Sequence, residues 1–189
     1  MMKMNNLMKK LITFTLICIL VFAAGCNRTD KDVSDSSQQA TRIPEKGSIV
    51  DGEMELTCSL SISCSSILDN MDKLDSAKKD FVPSDGWILE KTTVTFEKGE
   101  SVHDILKRVC QSEGIHMESS YTPMYDSAYV EGVNQLYEFD CGNESGWMYK
   151  VNDWFPNYGC SRYEVSEGDE IEWVYTCNLG TDVGNNSMK

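Results

Sequence analysis

The sequence predicts an α+β domain, in which one main helix packs on a face of a sheet. Apolar and polar side chains alternate in two segments, Leu56–Cys64 near the start of the folded part and Glu170–Cys177 at its end. Between them, apolar residues recur at helical spacing after Ser101. A period of two is typical of half-buried strands, and a period near 3.6 is typical of amphipathic helices. The order of strands, helix and further strands therefore indicates the α+β class.

The folded part opens at Met54 with the first strand. Its apolar and cysteine residues share one parity, and Glu, Thr and Ser occupy the other, which is typical of a strand with one polar face. Apolar residues at helical spacing then predict a short helix over residues 67–74. The turn at Pro83–Gly86 precedes a second strand, Trp87–Phe96, which is rich in β-favouring Thr and Val.

The main helix is bounded by clear end signals. Ser101 is placed to cap its first turn, with Asp104 three residues later in a near capping-box arrangement. Gly114 is placed to end it in the left-handed conformation. Its predicted buried stripe consists of Val102, Ile105, Leu106, Val109 and Cys110.

Further strands are expected after the helix. The sequence favours strands at 115–119, 128–140 and 147–151, with a hairpin turn at Asn152 and Asp153. The last strand, Glu170–Cys177, places Ile171, Trp173, Tyr175 and Cys177 on one face.

Residues 1–25 have the pattern of a secretory signal peptide. Three lysines precede the apolar run Leu11–Ala23, and small residues precede Cys26. The run has 13 residues, whereas a membrane span needs about 20. A lipobox usually has Leu three positions before its cysteine, where this chain has Ala23. We expect lipidation of Cys26 and anchoring to the outer face of the cell membrane; the alternative is an ordinary signal peptide that leaves Cys26 unmodified.

A polar tether is expected to follow the anchor. Residues 26–53 are almost free of apolar side chains and predict a lipidated, flexible segment, and residues 185–189 predict a disordered tail. The domain then occupies residues 54–184. Residues 1–25 hold three of the 17 Lys and Arg residues and none of the 30 Asp and Glu residues, so the mature net charge is −16. Such a charge argues against nucleic acid as a partner, because phosphate binding needs clustered cations.

Six further cysteines remain in the mature chain. An even number in an exported domain indicates three disulfides, although the sequence alone leaves about 15 pairings open. Their spacings match no zinc motif, so no metal site is expected from them. They are Cys58, Cys64, Cys110, Cys141, Cys160 and Cys177.

Five short segments together are typical of one family. They are Glu97–Val102, Ser145–Asn152, Phe155–Cys160, Glu167–Trp173 and Tyr175–Gly180. On these segments the chain resembles the transcobalamin-like C-terminal domain family, over about residues 54–184. Bacterial members of that family are typically lipoproteins or surface proteins whose role is uncharacterised.

The resemblance implies a β-grasp-like mixed sheet whose first and last strands are adjacent and parallel. It also implies cobalamin or a related corrinoid as a ligand, since eukaryotic relatives use this domain to cover one side of cobalamin. Their other half-site is a large helical domain, which we do not expect in this chain. A partner, a transporter or a second binding protein, would then supply that half. Under this topology the expected disulfides are Cys64–Cys177, Cys141–Cys160 and Cys58–Cys110.

Aromatic residues around the hairpin turn are the candidate ligand-binding residues. They are Trp147, Tyr149, Trp154, Phe155 and Tyr158. Trp and Tyr suit recognition surfaces because they combine contact area with a polar group. Core packing is the alternative for Trp147 and Tyr149, which lie on a strand; for the three residues after the turn both interpretations stay open. Three more residues could join this surface: Tyr121, Tyr125 and Tyr129.

No catalytic motif is present, and we expect a binding protein that is not an enzyme. The sequence has no GxSxG, HExxH or Gly-rich phosphate motif. Acidic residues offer calcium ligands without EF-hand spacing: Asp140, Glu144, Glu167, Asp169 and Glu170. No cofactor is expected apart from a corrinoid as ligand. The alternative function is a protein- or glycan-interaction module of the cell surface without a small-molecule ligand.

Overall fold

A computed structural model describes residues 49–50 and 53–185. The signal peptide, Cys26, nearly all of the tether and residues 186–189 lie outside the described residues. At the end of the predicted tether, β1 (Ile49–Val50) pairs antiparallel with β2 (Glu53–Met54). Within the described part, no helix is long and apolar enough to cross a membrane.

A four-stranded sheet forms the centre of the domain. Its strands are β3 (Leu56–Ser63), β4 (Trp87–Phe96), β8 (Gly146–Val151) and β9 (Glu170–Thr176), in the order β4-β3-β9-β8. The first and last of these strands, β3 and β9, are adjacent and parallel, and the two outer pairs are antiparallel. The expected adjacency of the first and last strands is therefore confirmed. The alternating patterns predicted both central strands because their apolar residues face the core, although Ser61 and Ser63 on the polar face of β3 are also buried.

The main helix, α2 (Val102–Glu113), has the predicted boundaries. The Ser101 side chain accepts a hydrogen bond from the Asp104 amide, and the Asp104 carboxylate accepts one from the Ser101 amide at 3.0 Å. Gly114 ends the helix with a φ of 68°, in the left-handed region that favours glycine. The five residues of the predicted stripe are all buried in one core with the sheet.

A second sheet of three strands follows the helix. It comprises β5 (Met117–Thr122), β6 (Ser127–Val133) and β7 (Leu136–Tyr137), all antiparallel. The single strand predicted over 128–140 is wrong, because Asn134 and Gln135 both adopt a positive φ and form a tight turn. Neither residue is glycine, so the sequence carried only a weak turn signal.

The short helix predicted over 67–74 is also wrong in its bounds. The structure has a single helical turn, α1 (Ser65–Leu68), and then a 3₁₀ helix at Ser76–Phe81. Ile67 and Leu74 are nevertheless buried, as their spacing indicated. Asp75 accepts a hydrogen bond from the Ala77 amide and starts the second helical segment, which begins only after the predicted range.

Tyr175 connects the central sheet to the second sheet. Its ring is fully buried, and its hydroxyl donates to the Tyr137 carbonyl at 2.7 Å. The same hydroxyl is hydrogen-bonded to Ser145 at 2.9 Å, and the ring packs edge-on against Trp147 at 5.3 Å. One β9 side chain therefore holds the loop between the two sheets.

All six described cysteines are buried, and no two of their sulfur atoms lie at disulfide distance, so the structure does not show the expected disulfides Cys64–Cys177, Cys141–Cys160 and Cys58–Cys110. The fold separates the expected partners Cys141 and Cys160. Cys141 interacts with the Cys177 thiol, while the Cys160 thiol donates to the Ala128 carbonyl at 3.5 Å. Burial raises the pKa of Cys64 and of Cys110 to about 12, which disfavours the nucleophilic thiolate.

We predict that Ser101→Ala lowers the free energy of unfolding by about 1 kcal/mol, because it removes the side chain that satisfies an amide of the first helical turn. Urea unfolding followed by circular dichroism measures the change. Ser120→Ala, on an exposed position of β5, is the control and should change stability by less than about 0.5 kcal/mol. An equal loss in both variants would contradict the capping role.

Candidate binding site

Five aromatic rings form a continuous stack from the surface into the core. We call this set, Trp154, Tyr158, Tyr163, Tyr149 and Trp173, the aromatic stack. Trp154 meets Tyr158 at 6.2 Å, and Tyr158 lies parallel to Tyr163 at 6.2 Å. Tyr149 contacts Tyr163 edge-on at 6.4 Å and Trp173 at 5.6 Å. These centroid distances lie in the range in which aromatic pairs attract one another.

One end of the aromatic stack is exposed to solvent, and the other end is buried. Trp154 is 53% exposed and Tyr158 is 37% exposed, whereas Trp173 is 2% exposed. Burial raises the pKa of the Tyr149 phenol, which stays a neutral donor and bonds the Tyr158 carbonyl at 2.8 Å. The buried end therefore fixes the position of the exposed rings.

The predicted hairpin turn at Asn152 and Asp153 is confirmed and places Trp154 at the surface. Both turn residues have a positive φ, and Val151 pairs with Trp154 across them. Asn152 donates to the Asp169 carboxylate at 2.8 Å and accepts from the Glu170 amide at 2.9 Å. These bonds attach the turn to the start of β9.

A close approach of two chain segments positions the outer part of the stack. A Cβ atom added at Gly159 would lie 1.7 Å from the Ser127 hydroxyl oxygen, so only glycine fits there. Next to it, the Ser161 hydroxyl contacts the Ser127 hydroxyl at 3.0 Å and accepts from the Ala128 amide at 2.8 Å. The segment after the turn is therefore clamped to the start of β6, next to the tip of the β5–β6 hairpin.

The structure divides the five sequence-predicted residues. Tyr149, Trp154 and Tyr158 belong to the aromatic stack, and Phe155 lies half-buried between the last two in sequence. Trp147 is buried elsewhere: its indole donates to the Leu136 carbonyl at 2.8 Å. Sequence reasoning missed Tyr163 as a member of the stack, because only the fold brings it beside Tyr158.

A shallow apolar cleft lies at the other end of β8. It has a volume of about 200 Å³, and its walls include Tyr129, Phe139, Trp147 and Leu179. The Tyr129 hydroxyl donates to Glu138 at 2.6 Å at this cleft, so Tyr129 does not belong to the stack. No periodic pattern indicated Phe139, which adopts a positive φ in a loop.

The hairpin tip presents a third group of exposed apolar residues. Met124 is 84% exposed at the tip, and Tyr121 and Tyr125 beside it are also exposed. The Tyr121 hydroxyl donates to the Asp126 carboxylate across the turn. This hydrogen bond raises the pKa of Tyr121 and holds its ring in place.

Most of the acidic residues considered as calcium ligands have partners in the protein. Asp140 pairs with Lys78 at 3.2 Å, and Glu170 pairs with Lys91 at 2.8 Å. Glu167 accepts hydrogen bonds from the amide and hydroxyl of Thr57, and Asp169 is buried at the turn described above. Within the described residues, no three His, Cys, Asp or Glu side chains converge on a metal position.

Comparison with known proteins places part of this chain near one family. Residues 99–177 match a family model described as a domain of unknown function, DUF4430. The match contains α2, the second sheet, β8, the aromatic stack and β9. A comparison with curated proteins finds no match.

Two solved structures are similar to the chain at low identity. Haptocorrin in complex with Cbi is 12% identical, with a TM-score of 0.45, over 67% of this chain and 27% of that chain. A Ruminococcus gnavus ATCC 29149 protein, provisionally described as metal binding, is 14% identical with a TM-score of 0.37. That match covers 65% of this chain and 97% of the other. The chain thus spans about a quarter of the haptocorrin chain, and neither likeness assigns it a function.

We predict that Gly159→Ala lowers the free energy of unfolding by about 1–3 kcal/mol, because the added methyl group overlaps Ser127. Thermal unfolding followed by tryptophan fluorescence measures the loss. Gly146→Ala is the matched control: its added Cβ would meet Glu138 at an ordinary 3.5 Å.

Replacing Ser127 by glycine in the Gly159→Ala background removes the overlap, and we expect it to restore part of the lost stability. Equal stability of Gly159→Ala and Gly146→Ala would refute the steric clamp.

Proposed function

We propose that this chain is a lipid-anchored surface protein with a non-catalytic binding module of β-grasp-like fold. The exposed end of the aromatic stack, Trp154 and Tyr158 with Phe155 between them in sequence, is the binding surface. The observation that carries the proposal is the continuity of the stack from these exposed rings to buried Trp173.

A pre-positioned aromatic surface favours binding because its side chains lose little conformational entropy when a ligand binds. Immobilising a flexible side chain costs about 0.5–1.5 kcal/mol on association. Here Tyr158 is already stacked on Tyr163, and its backbone carbonyl is fixed by Tyr149. Exposed aromatic rings held in this way are typical of energetically dominant interface residues.

A corrinoid is the ligand class that we propose first. The sequence resemblance implies it, and a flat macrocycle can lie against exposed Trp and Tyr rings over a wide area. The surface is open, whereas sites that bind small ligands tightly bury most of the ligand. A second protein, a transporter component or another binding protein, therefore covers the other side of the ligand in this proposal.

A protein- or glycan-interaction module is the second candidate. It is favoured by the hairpin tip, where Met124, Tyr121 and Tyr125 are exposed together beyond the clamp at Gly159. Rigid Tyr side chains supply contact area at low entropic cost. This candidate requires no small ligand at the aromatic stack.

Several contacts support a non-catalytic role. His103 is hydrogen-bonded to Ser119 at 2.9 Å, and the neighbouring Asp104 carboxylate accepts hydrogen bonds from the amide and hydroxyl of Ser101. Burial lowers the pKa of His103. The cysteine thiols are buried with raised pKa values, which makes them poor nucleophiles.

We predict that cobinamide binds the full chain and that Trp154→Ala weakens this binding about tenfold or more, because the variant removes the outermost ring of the stack. An absorbance-monitored titration measures the affinity, alone and with a corrinoid transporter component. Trp87→Ala is the matched control: Trp87 is similarly exposed, at 41%, but lies on β4 at the opposite edge of the sheet.

Two outcomes would count against a corrinoid site on the stack. Equal weakening by the two tryptophan variants would place the binding elsewhere. Absence of binding by the full chain, with or without the transporter component, would favour the interaction module.

We predict that Cys26→Ser moves the protein from the membrane fraction to the soluble fraction, because it removes the thiol that carries the lipid. Fractionation with metabolic fatty-acid labelling measures the change. Cys18→Ser, within the signal peptide, is the control and should remain labelled. Labelling that persists in Cys26→Ser would contradict the proposed anchor.

A further inference from the structure

Cys141 and Cys177 are buried, distant in sequence, and both in contact with the turn that runs from Ser66 to Asn70. Asn70 binds back to the Ser66 carbonyl at 2.9 Å, so the two residues lie on one side of the turn after α1. The Cys177 sulfur lies 3.6 Å from the Ser66 hydroxyl. The Cys141 thiol donates to the Asn70 carbonyl at 3.5 Å.

The two thiols also lie close enough to affect each other's ionisation. Burial raises the pKa of both groups, to about 12 for Cys177, and a hydrogen bond between the two thiols further raises the pKa of Cys177 while lowering that of Cys141. Cys64 also lies near enough to Cys177 for the charge of one thiolate to raise the pKa of the other. Because both sulfurs lie against the Ser66–Asn70 turn, the geometry points to Cys141 as the partner of Cys177.

We propose that Cys141 and Cys177 form a disulfide in the exported protein. Oxidation would join the two sulfur atoms, which lie against the same turn, by a sulfur–sulfur bond of about 2 Å. The proposal rests on the proposed export, because disulfides form and persist in oxidising compartments.

Oxidation requires an electron acceptor, which we identify as an oxidised thiol–disulfide oxidoreductase. The Cys141 thiolate attacks the disulfide of that enzyme, forms a mixed disulfide and releases one enzyme thiolate. The Cys177 thiolate then attacks the Cys141 sulfur of the mixed disulfide and releases the second enzyme thiolate. The chain loses two protons and two electrons, and the enzyme becomes the dithiol. Because both thiols are buried in the folded domain, the exchange occurs before the core closes.

The disulfide would join the two loops that form the apolar cleft. The loop after Cys141 supplies Asn143 and Glu144 to the cleft, and the segment around Cys177 supplies Thr176 and Leu179. The Leu179 amide already donates to the Glu144 carbonyl at 3.0 Å. The closed loop would also contain β8 and the clamp at Gly159. The disulfide is therefore expected to stabilise both the cleft and the segment that carries the aromatic stack.

Peptide mapping of the oxidised full chain tests the pairing. A protease that cuts before Asp leaves Cys141 alone on peptide 140–152 and Cys177 alone on peptide 169–181, since Asp residues stand at 140, 153, 169 and 182. The expected result is a disulfide-linked pair of these peptides after refolding in a glutathione buffer. A link from either peptide to one that carries Cys58, Cys64, Cys110 or Cys160, or two alkylated free thiols, would overturn the proposal.

Thermal unfolding provides the second measurement. Reduction of the wild-type chain should lower its melting temperature by about 10 °C, as expected for a closed loop of this length. Cys141→Ser and Cys177→Ser should each abolish the reductive shift, and Cys110→Ser, on the buried face of α2, should retain it. A shift that persists in Cys141→Ser would refute the pairing. Refolding in vitro does not depend on export, so the Cys26→Ser fractionation can fail or succeed independently.

Discussion

The parallel pairing of β3 with β9 is the constraint on which the rest of the structure depends. It joins residues more than 100 positions apart, with Ser59 opposite Glu170 and Ser63 opposite Val174. Parallel neighbours need a long crossover, and here the crossover contains β4, α2, the second sheet and β8. The pairing extends beyond the strand, since the Ser59 amide donates to the Asp169 carbonyl at 2.8 Å. Asp169 in turn binds the turn that places Trp154 at the surface.

The aromatic stack combines two kinds of positional control. Its inner rings, Tyr149 and Trp173, are directly opposite each other on β8 and β9, so strand register fixes them. Its outer rings, Trp154 and Tyr158, lie on a loop whose position depends on the turn bonds and on the clamp at Gly159. Strand register therefore positions only the two buried rings. The contacts of the loop position the two exposed rings. Substitutions far from the exposed rings are therefore expected to alter the positions of these rings.

Short sequence patterns predicted the elements whose bounds depend on interactions between residues close in sequence. The end signals at Ser101 and Gly114 predicted α2, and alternation predicted β3 and β9, because capping and one-sided burial are visible in short windows. The turn at Asn134 escaped prediction because contacts with distant segments hold it: the Asn134 amide donates to the His116 carbonyl at 2.7 Å, and its side chain donates to the Phe81 carbonyl at 2.8 Å. Trp147 and Tyr149 have the same parity, so the sequence could not distinguish them; only the position of Tyr149 opposite Trp173 brings it into the stack. Cysteine pairing depends entirely on how distant segments meet.

The two ends of β8 are stabilised by different means. At the turn end, the clamp between Gly159 and Ser127 depends on the absence of a side chain and is independent of redox conditions. At the cleft end, the loops are joined by the bond between Leu179 and Glu144, by Tyr175 and by the proposed disulfide. Reduction would therefore loosen the cleft first and leave the turn clamp in place. The proposed binding surface would benefit from this rigidity, because a ligand covered on one side has few contacts to offset the cost of ordering the loop.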